Sequence, residues 1–130
     1  MTRSLALAAL VLSAAASAHA QAPQVPPPAG LDPKKPVYVT AHVDVIGTYL
    51  DKTLDALKTY VEAARREPGA VRVEAVEEAR SNHFDLIEVW RDRAAYDAHA
   101  GSAATVRFHD TIHPWRGSPF EERLANLVAP

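Results

Sequence analysis

From Val37 to Val45 every second residue is a small apolar one. Val37, Val39, Ala41, Val43 and Val45 fall on one side, and Tyr38, Thr40, His42 and Asp44 on the other. A period of two is that of a β-strand, whose successive side chains point to opposite faces. Gly47 ends the alternation, and the period changes at once. Leu50, Leu54, Leu57, Val61 and Ala64 recur at steps of three and four, one apolar stripe along an amphipathic helix. Thr48-Tyr49-Leu50-Asp51 has the spacing of a capping box at its start, Arg65 and Arg66 suit its C-terminal dipole, and Pro68-Gly69 ends it.

The same two periods then repeat in the order strand, strand, helix, strand. Ala70 to Glu78 and Phe84 to Arg91 read as strands, with Ser81-Asn82 as turn residues of a hairpin between them. Asp92 is placed to cap a short helix and Ser102 a second segment running to His113, where Pro114 stops it. Leu124 to Val128 is the candidate last strand. The fold class is therefore α+β, a ferredoxin-like βαββαβ arrangement with a four-stranded antiparallel sheet, in which the first and third strands are expected side by side and parallel. The strands carry apolar residues on both faces: Phe84, Leu86 and Trp90 on one side of the third, Ile87 and Val89 on the other. Two helices cover only one face, so a homodimer packed sheet against sheet is expected.

The segment before this domain has a different character. Arg3, the apolar run Leu5 to Ala16 and Ala18-His19-Ala20 have the form of a signal peptide over residues 1–20, implying a periplasmic or secreted protein. Residues 21–36 hold six of the ten prolines and read as an extended linker, leaving residues 37–130 as the folded domain. No cysteine is present, so neither a disulfide framework nor Cys–His catalysis is available. Without Arg3 the basic residues number 13 against 16 acidic ones, a charge of −3 that offers no attraction for nucleic acid or an anionic membrane. Dinucleotide, P-loop and nucleophile-elbow motifs are absent.

Four short segments stand in a recognisable order: Glu67-Pro68-Gly69, Glu88-Val89-Trp90, Ala95-Tyr96-Asp97-Ala98-His99 and Phe108. In this order and spacing, between Val37 and Val128, the chain resembles the antibiotic biosynthesis monooxygenase family. The resemblance implies a dimeric α/β barrel with a pocket between sheet and helices. It also implies oxygenase chemistry on a small aromatic or quinol-type substrate and O2, with no tightly bound cofactor. Some relatives degrade haem, using an asparagine near the first strand; here that strand has His42 and no asparagine. A non-catalytic dimeric module holding a hydrophobic ligand is the alternative from a different functional class.

Oxygenation without a cofactor needs a base tuned near the working pH and hydrogen bonds to the substrate anion. Histidine supplies such a base. If the less apolar face of the first strand coincides with the face bearing Glu88 and Trp90, then His42 is the base, Trp90 an aromatic wall and Glu88 a pairing group. Phe84 and Tyr38 are further candidate substrate contacts. His99, matched by the resemblance, either reaches the pocket mouth or caps its helix. Glu67-Pro68-Gly69 is read as structural, with glycine supplying a positive φ. His109 and His113, four apart on a helix, have metal-ligand spacing but no third partner, so they are read as solvated and no metal is assigned. His83 falls in the hairpin turn at an exposed position, and Phe108 and Trp115 are packing residues.

Overall fold

A computed structural model describes residues 30–129. The signal-peptide reading and most of the linker lie outside the described residues. Strand β1 spans Val37–Asp44, helix α1 Leu50–Ala64, β2 Ala70–Glu77, β3 His83–Trp90, α2 Arg93–Ala100, α3 Ala103–Ile112 and β4 Glu121–Asn126. The four strands form one antiparallel sheet in the order β2-β3-β1-β4. This is the α+β, ferredoxin-like arrangement that the two alternating periods imply.

One expectation about the sheet is overturned. β1 and β3 are neighbours, but antiparallel, with Val37 opposite Trp90, Val39 opposite Glu88 and His42 opposite Asp85. The reason is connectivity. The α1 crossover brings β2 back parallel to β1, the hairpin reverses β3, and β3 inserted between them runs against both. Asn82 makes that hairpin turn at a φ of 70°, a conformation asparagine tolerates. β4 begins at Glu121, three residues ahead of the expected start, because Glu121, Glu122 and Arg123 pair with β1 despite their polarity.

The core lies between one sheet face and the helices. Val37, Val39, Ala41 and Val43 meet Phe84, Leu86 and Trp90 there, against Leu57, Tyr60, Val61 and Ala64 of α1 and Phe108 and Ile112 of α3. In α1 the buried stripe is displaced from the expected one: Thr53 and Tyr60 are buried, whereas Leu50 and Leu54 are only partly so. Thr48 does not cap this helix. A 3₁₀ turn over Gly47–Tyr49 precedes it, and Tyr49 stands at the N-cap without a side-chain hydrogen bond. The other two caps form as expected, Asp92 accepting from Ala95 N and Ser102 from Thr105 N. Gly69 has a φ of 88°, and a Cβ there would stand 2.5 Å from Ala95 Cβ, so glycine answers both a backbone and a packing demand.

Candidate functional site

The sheet face under the helices carries a buried polar group, Glu88, at an otherwise apolar position of β3. Glu88 and Trp90 are two apart on β3 and project to the same side, where both are buried. Tyr60 reaches them from α1, and His99 from the end of α2. The Tyr60 hydroxyl donates to Glu88 Oε1 at 2.5 Å, and the Trp90 indole N–H donates to Glu88 Oε2 at 2.8 Å. His99 lies flat on Trp90, with centroids 4.1 Å apart and 21° between planes, and is only 3% exposed. Its Nε2 is 2.9 Å from the Tyr60 oxygen and 3.4 Å from Glu88 Oε2.

The other His99 nitrogen, Nδ1, donates to Glu67 Oε2 at 2.8 Å, and Ser102 Oγ donates to Glu67 Oε1 at the same distance. Glu67 therefore belongs to the network as well as to the turn, a role that a turn motif gives no reason to expect. Burial, and then the Glu88 carboxylate, push the Tyr60 phenol far above its ordinary value, so it stays a donor. With Nδ1–H directed to Glu67, the lone pair of Nε2 faces the Tyr60 oxygen. The Tyr60 hydroxyl, donating to Glu88, thus stands between a carboxylate and an imidazole.

This network borders a small cavity of about 80 Å³, lined among others by Glu88, His99, Tyr96, His109, Phe120 and Glu122. Tyr96 donates to Glu122 across it, and burial and that carboxylate raise the Tyr96 phenol. His109 is half-buried and edge-on to Phe120 at 4.5 Å; among the described residues its ring nitrogens have no hydrogen-bond partner. Burial lowers its pKa below the ordinary histidine value, Arg116 adding to the effect. A larger groove of about 400 Å³ runs between α1 and α3, lined by Lys52, Thr59, Arg107, Phe108 and Trp115 among others. Its charged groups are Lys52, Asp55 and Arg107, with no histidine among its lining residues, and Tyr60 walls both hollows.

The residues singled out in the sequence separate into two places. Glu88, Trp90 and His99 come together under the helices. His42 does not join them. In the antiparallel register the even-numbered residues of β1 stand beside the odd-numbered residues of β3, so His42 shares the outer face with Asp85. Tyr38, opposite Val89, is also on that outer face. Phe84 is buried on the helix side, beside Leu54, Leu57 and Val61 and away from the cavity. His109 and His113 also part company: His113 is exposed and its Nδ1 accepts from Arg116 at 2.7 Å, while His109 turns inward. Two residues of the site stand outside the sequence expectations: Tyr60, to which no role is assigned there, and His109, read there as solvated. A signal for Tyr60 existed, since Leu57, Tyr60, Val61 and Ala64 continue a helical stripe.

The fold is thus a small α+β domain, a ferredoxin-like sheet with a histidine–carboxylate pocket under helices α1, α2 and α3. The model of the antibiotic biosynthesis monooxygenase family matches residues 36–111, and the chain belongs to that family. Solved structures agree on the fold. A candidate antibiotic biosynthesis monooxygenase from Nitrosomonas europaea superposes with a TM-score of 0.70 at 21% identity, over 75% of this chain and 94% of that one. A crystal structure of an antibiotic biosynthesis monooxygenase gives 0.67 at 26% identity, over 72% and 99%. An uncharacterised protein of Synechocystis sp. is 32% identical over 78 residues, 59% of this chain; the match spans about half the length of that relative, 51%.

Proposed function

We propose that the protein is a monooxygenase that uses O2 on a small aromatic or quinol-type substrate, which supplies the electrons itself without a tightly bound cofactor. For a hydroquinone the balance is simple. One oxygen atom enters the ring, the other leaves as water, and the product is a hydroxyquinone. The observation that carries the reading is the cavity in which two imidazoles, His99 and His109, meet the carboxylates of Glu88 and Glu122. Of the two imidazoles, His109 has ring nitrogens without a partner among the described residues and a pKa held below the ordinary value, so it is neutral and ready to accept a phenol proton near neutral pH. His99, held between Glu67 and Tyr60, keeps the wall of the cavity in place.

Size limits the substrate. The cavity is far below the roughly 300–1,000 Å³ of ordinary small-molecule sites, so a ring enters only if the Tyr60 and Phe108 rings, stacked at 4.4 Å, give way to the groove outside. A homodimer and export remain part of this reading. Support for the dimer is the outer sheet face, where Tyr38, Ile87 and Val89 lie on the adjacent strands β1 and β3, on the side away from the helices. Light scattering on the full chain tests it, a monomer counting against it. Support for export is the form of residues 1–20, tested by the N-terminus of the protein recovered from its host.

The activity is tested by oxygen uptake with a panel of hydroquinones and anthrones, corrected for autoxidation. The expected result is saturable uptake whose kcat/KM rises with pH to a plateau through an inflection below 6.5. His109→Gln should remove that inflection with most of the rate, and His42→Ala should leave both in place. A fully active His109→Gln variant would move the base elsewhere. No uptake above autoxidation would leave the non-catalytic binding module as the better account.

A further inference from the structure

The outer face of the sheet holds a second constellation that the cavity does not use. Asp44 and His83 are register partners at the end of β1 and the start of β3, and His42 lies two residues before Asp44 on the same face. Asp44 Oδ1 is 2.8 Å from His42 Nε2 and also contacts His83 Nδ1. One ligand atom from each of the three side chains lies within 4.8 Å of the other two. Ser118 Oγ donates to the second Asp44 oxygen at 2.9 Å, which fixes the carboxylate. On the far side of the His42 ring, Nδ1 is 3.0 Å from Asp85 Oδ1 and 3.3 Å from Glu78 Oε1. His83 is thus half-buried and engaged, not the exposed turn residue expected from the hairpin.

We propose that His42 Nε2, His83 Nδ1 and Asp44 Oδ1 are the three protein ligands of a divalent transition-metal ion of the zinc type. Two imidazoles and one carboxylate are the donors such an ion takes, whereas magnesium and calcium take oxygen alone. Asp85 and Glu78 complete the arrangement from behind. Either carboxylate accepts from His42 Nδ1–H, which leaves the Nε2 lone pair facing Asp44, the carboxylate–histidine–metal relation found around bound zinc. With neutral imidazoles, Asp44, Glu78 and Asp85 put three negative charges around two lone pairs, and a dication offsets most of that repulsion. Zinc bonds of about 2.0–2.2 Å require ligand atoms about 3.3 Å apart, so the His42–Asp44 edge must open by roughly half an ångström and the shorter His83–Asp44 edge by more. Partly exposed side chains permit that, and they leave a fourth position open to water.

The site faces away from the cavity, so the proposal stands apart from the oxygenase reading. It is tested on the untagged full chain, stripped with a chelator and then dialysed. Co2+ is followed by its visible absorption and Zn2+ by calorimetry. One ion per chain is expected, lost in His42→Ala and in His83→Ala, and bound about tenfold or more weakly in Asp85→Asn. His113→Ala, a substitution at an exposed histidine, should bind as the parent does. Circular dichroism checks that each variant is folded, with His83→Gln replacing His83→Ala if the latter is not. No binding by the parent chain would overturn the proposal and leave a protonated His42 bridging Asp44 and Asp85. Binding that survives loss of both histidines, or Mg2+ bound as tightly as Zn2+, would overturn it too.

Discussion

The two faces of the sheet carry nearly the same chemistry in opposite surroundings. Under the helices, His99 meets Glu67 and Glu88, with Tyr60 and Trp90 completing every bond. On the outer face, His42 and His83 meet Asp44, Glu78 and Asp85. The inner group is nearly sealed, His99 and Glu88 each being 3% exposed, while the His42 side chain is 37% exposed. Burial makes the first group a unit: a missing partner leaves a polar atom with no water to replace it. Hydration makes the second adjustable, since water screens the charges and fills any gap. The fold thus has one polar cluster suited to hold a fixed geometry and another able to rearrange around a ligand.

Substitutions should expose that difference, beginning with the largest effect. Trp90→Ala removes a fully buried indole, the stacking surface of His99 and the donor to Glu88 at once. A loss of about 3–5 kcal/mol in denaturant unfolding is expected. Tyr60→Phe keeps the ring and deletes only the hydroxyl between Glu88 and His99; about 1–3 kcal/mol should go with it. His42→Ala, measured in the presence of a chelator, should cost no more than about 1 kcal/mol, the usual worth of exposed ion pairs. If His42→Ala costs as much as Tyr60→Phe, the contrast fails, and the dimer contact proposed for the outer face extends over His42.

How much of this could be read in the chain follows from the periods themselves. The alternation from Val37 and the hairpin at Ser81-Asn82 carry the strand order, because each reports a local geometry that tertiary contacts only reinforce. The sheet face on which a polar residue lands is a different matter. His42 and Glu88 are correctly on strands, and each alternation sets the face within its own strand, but which faces of β1 and β3 coincide depends on their register and direction, which neither strand encodes alone. Glu88 stands at a core position in the alternation Phe84, Leu86, Glu88, Trp90. That misplaced charge was the legible signal of a buried site. Its partners were not legible: Tyr60 and Glu67 come from α1 and its following turn, and meet His99 only through packing.

The smallest expected effect is a difference of sign between the faces. Burial lowers the His109 pKa, and Arg116 adds to this, while Glu122, Asp110 and Glu88 pull the other way without offsetting it. The unfolded chain therefore takes up its proton first. His109's contribution to stability is whole above the ordinary value of 6.5 and is lost as the pH falls toward the lowered folded value. For His42 the Asp85 hydrogen bond raises the pKa, burial opposes it, and Asp44 and Glu78 add to the rise. His83 stacks on the ring at 6.0 Å, and Glu121 and Arg123 line the same hollow. Here the contribution is whole below 6.5 and fades as the pH rises through the folded value. Urea midpoints in chelator from about pH 5 to about pH 8 read both limbs. His109→Gln should flatten the acid limb alone and His42→Gln the upper limb alone. If both substitutions flatten the same limb, the two faces do not hold their histidines in opposite ways, and the contrast between a sealed cluster and a hydrated one loses its electrostatic half.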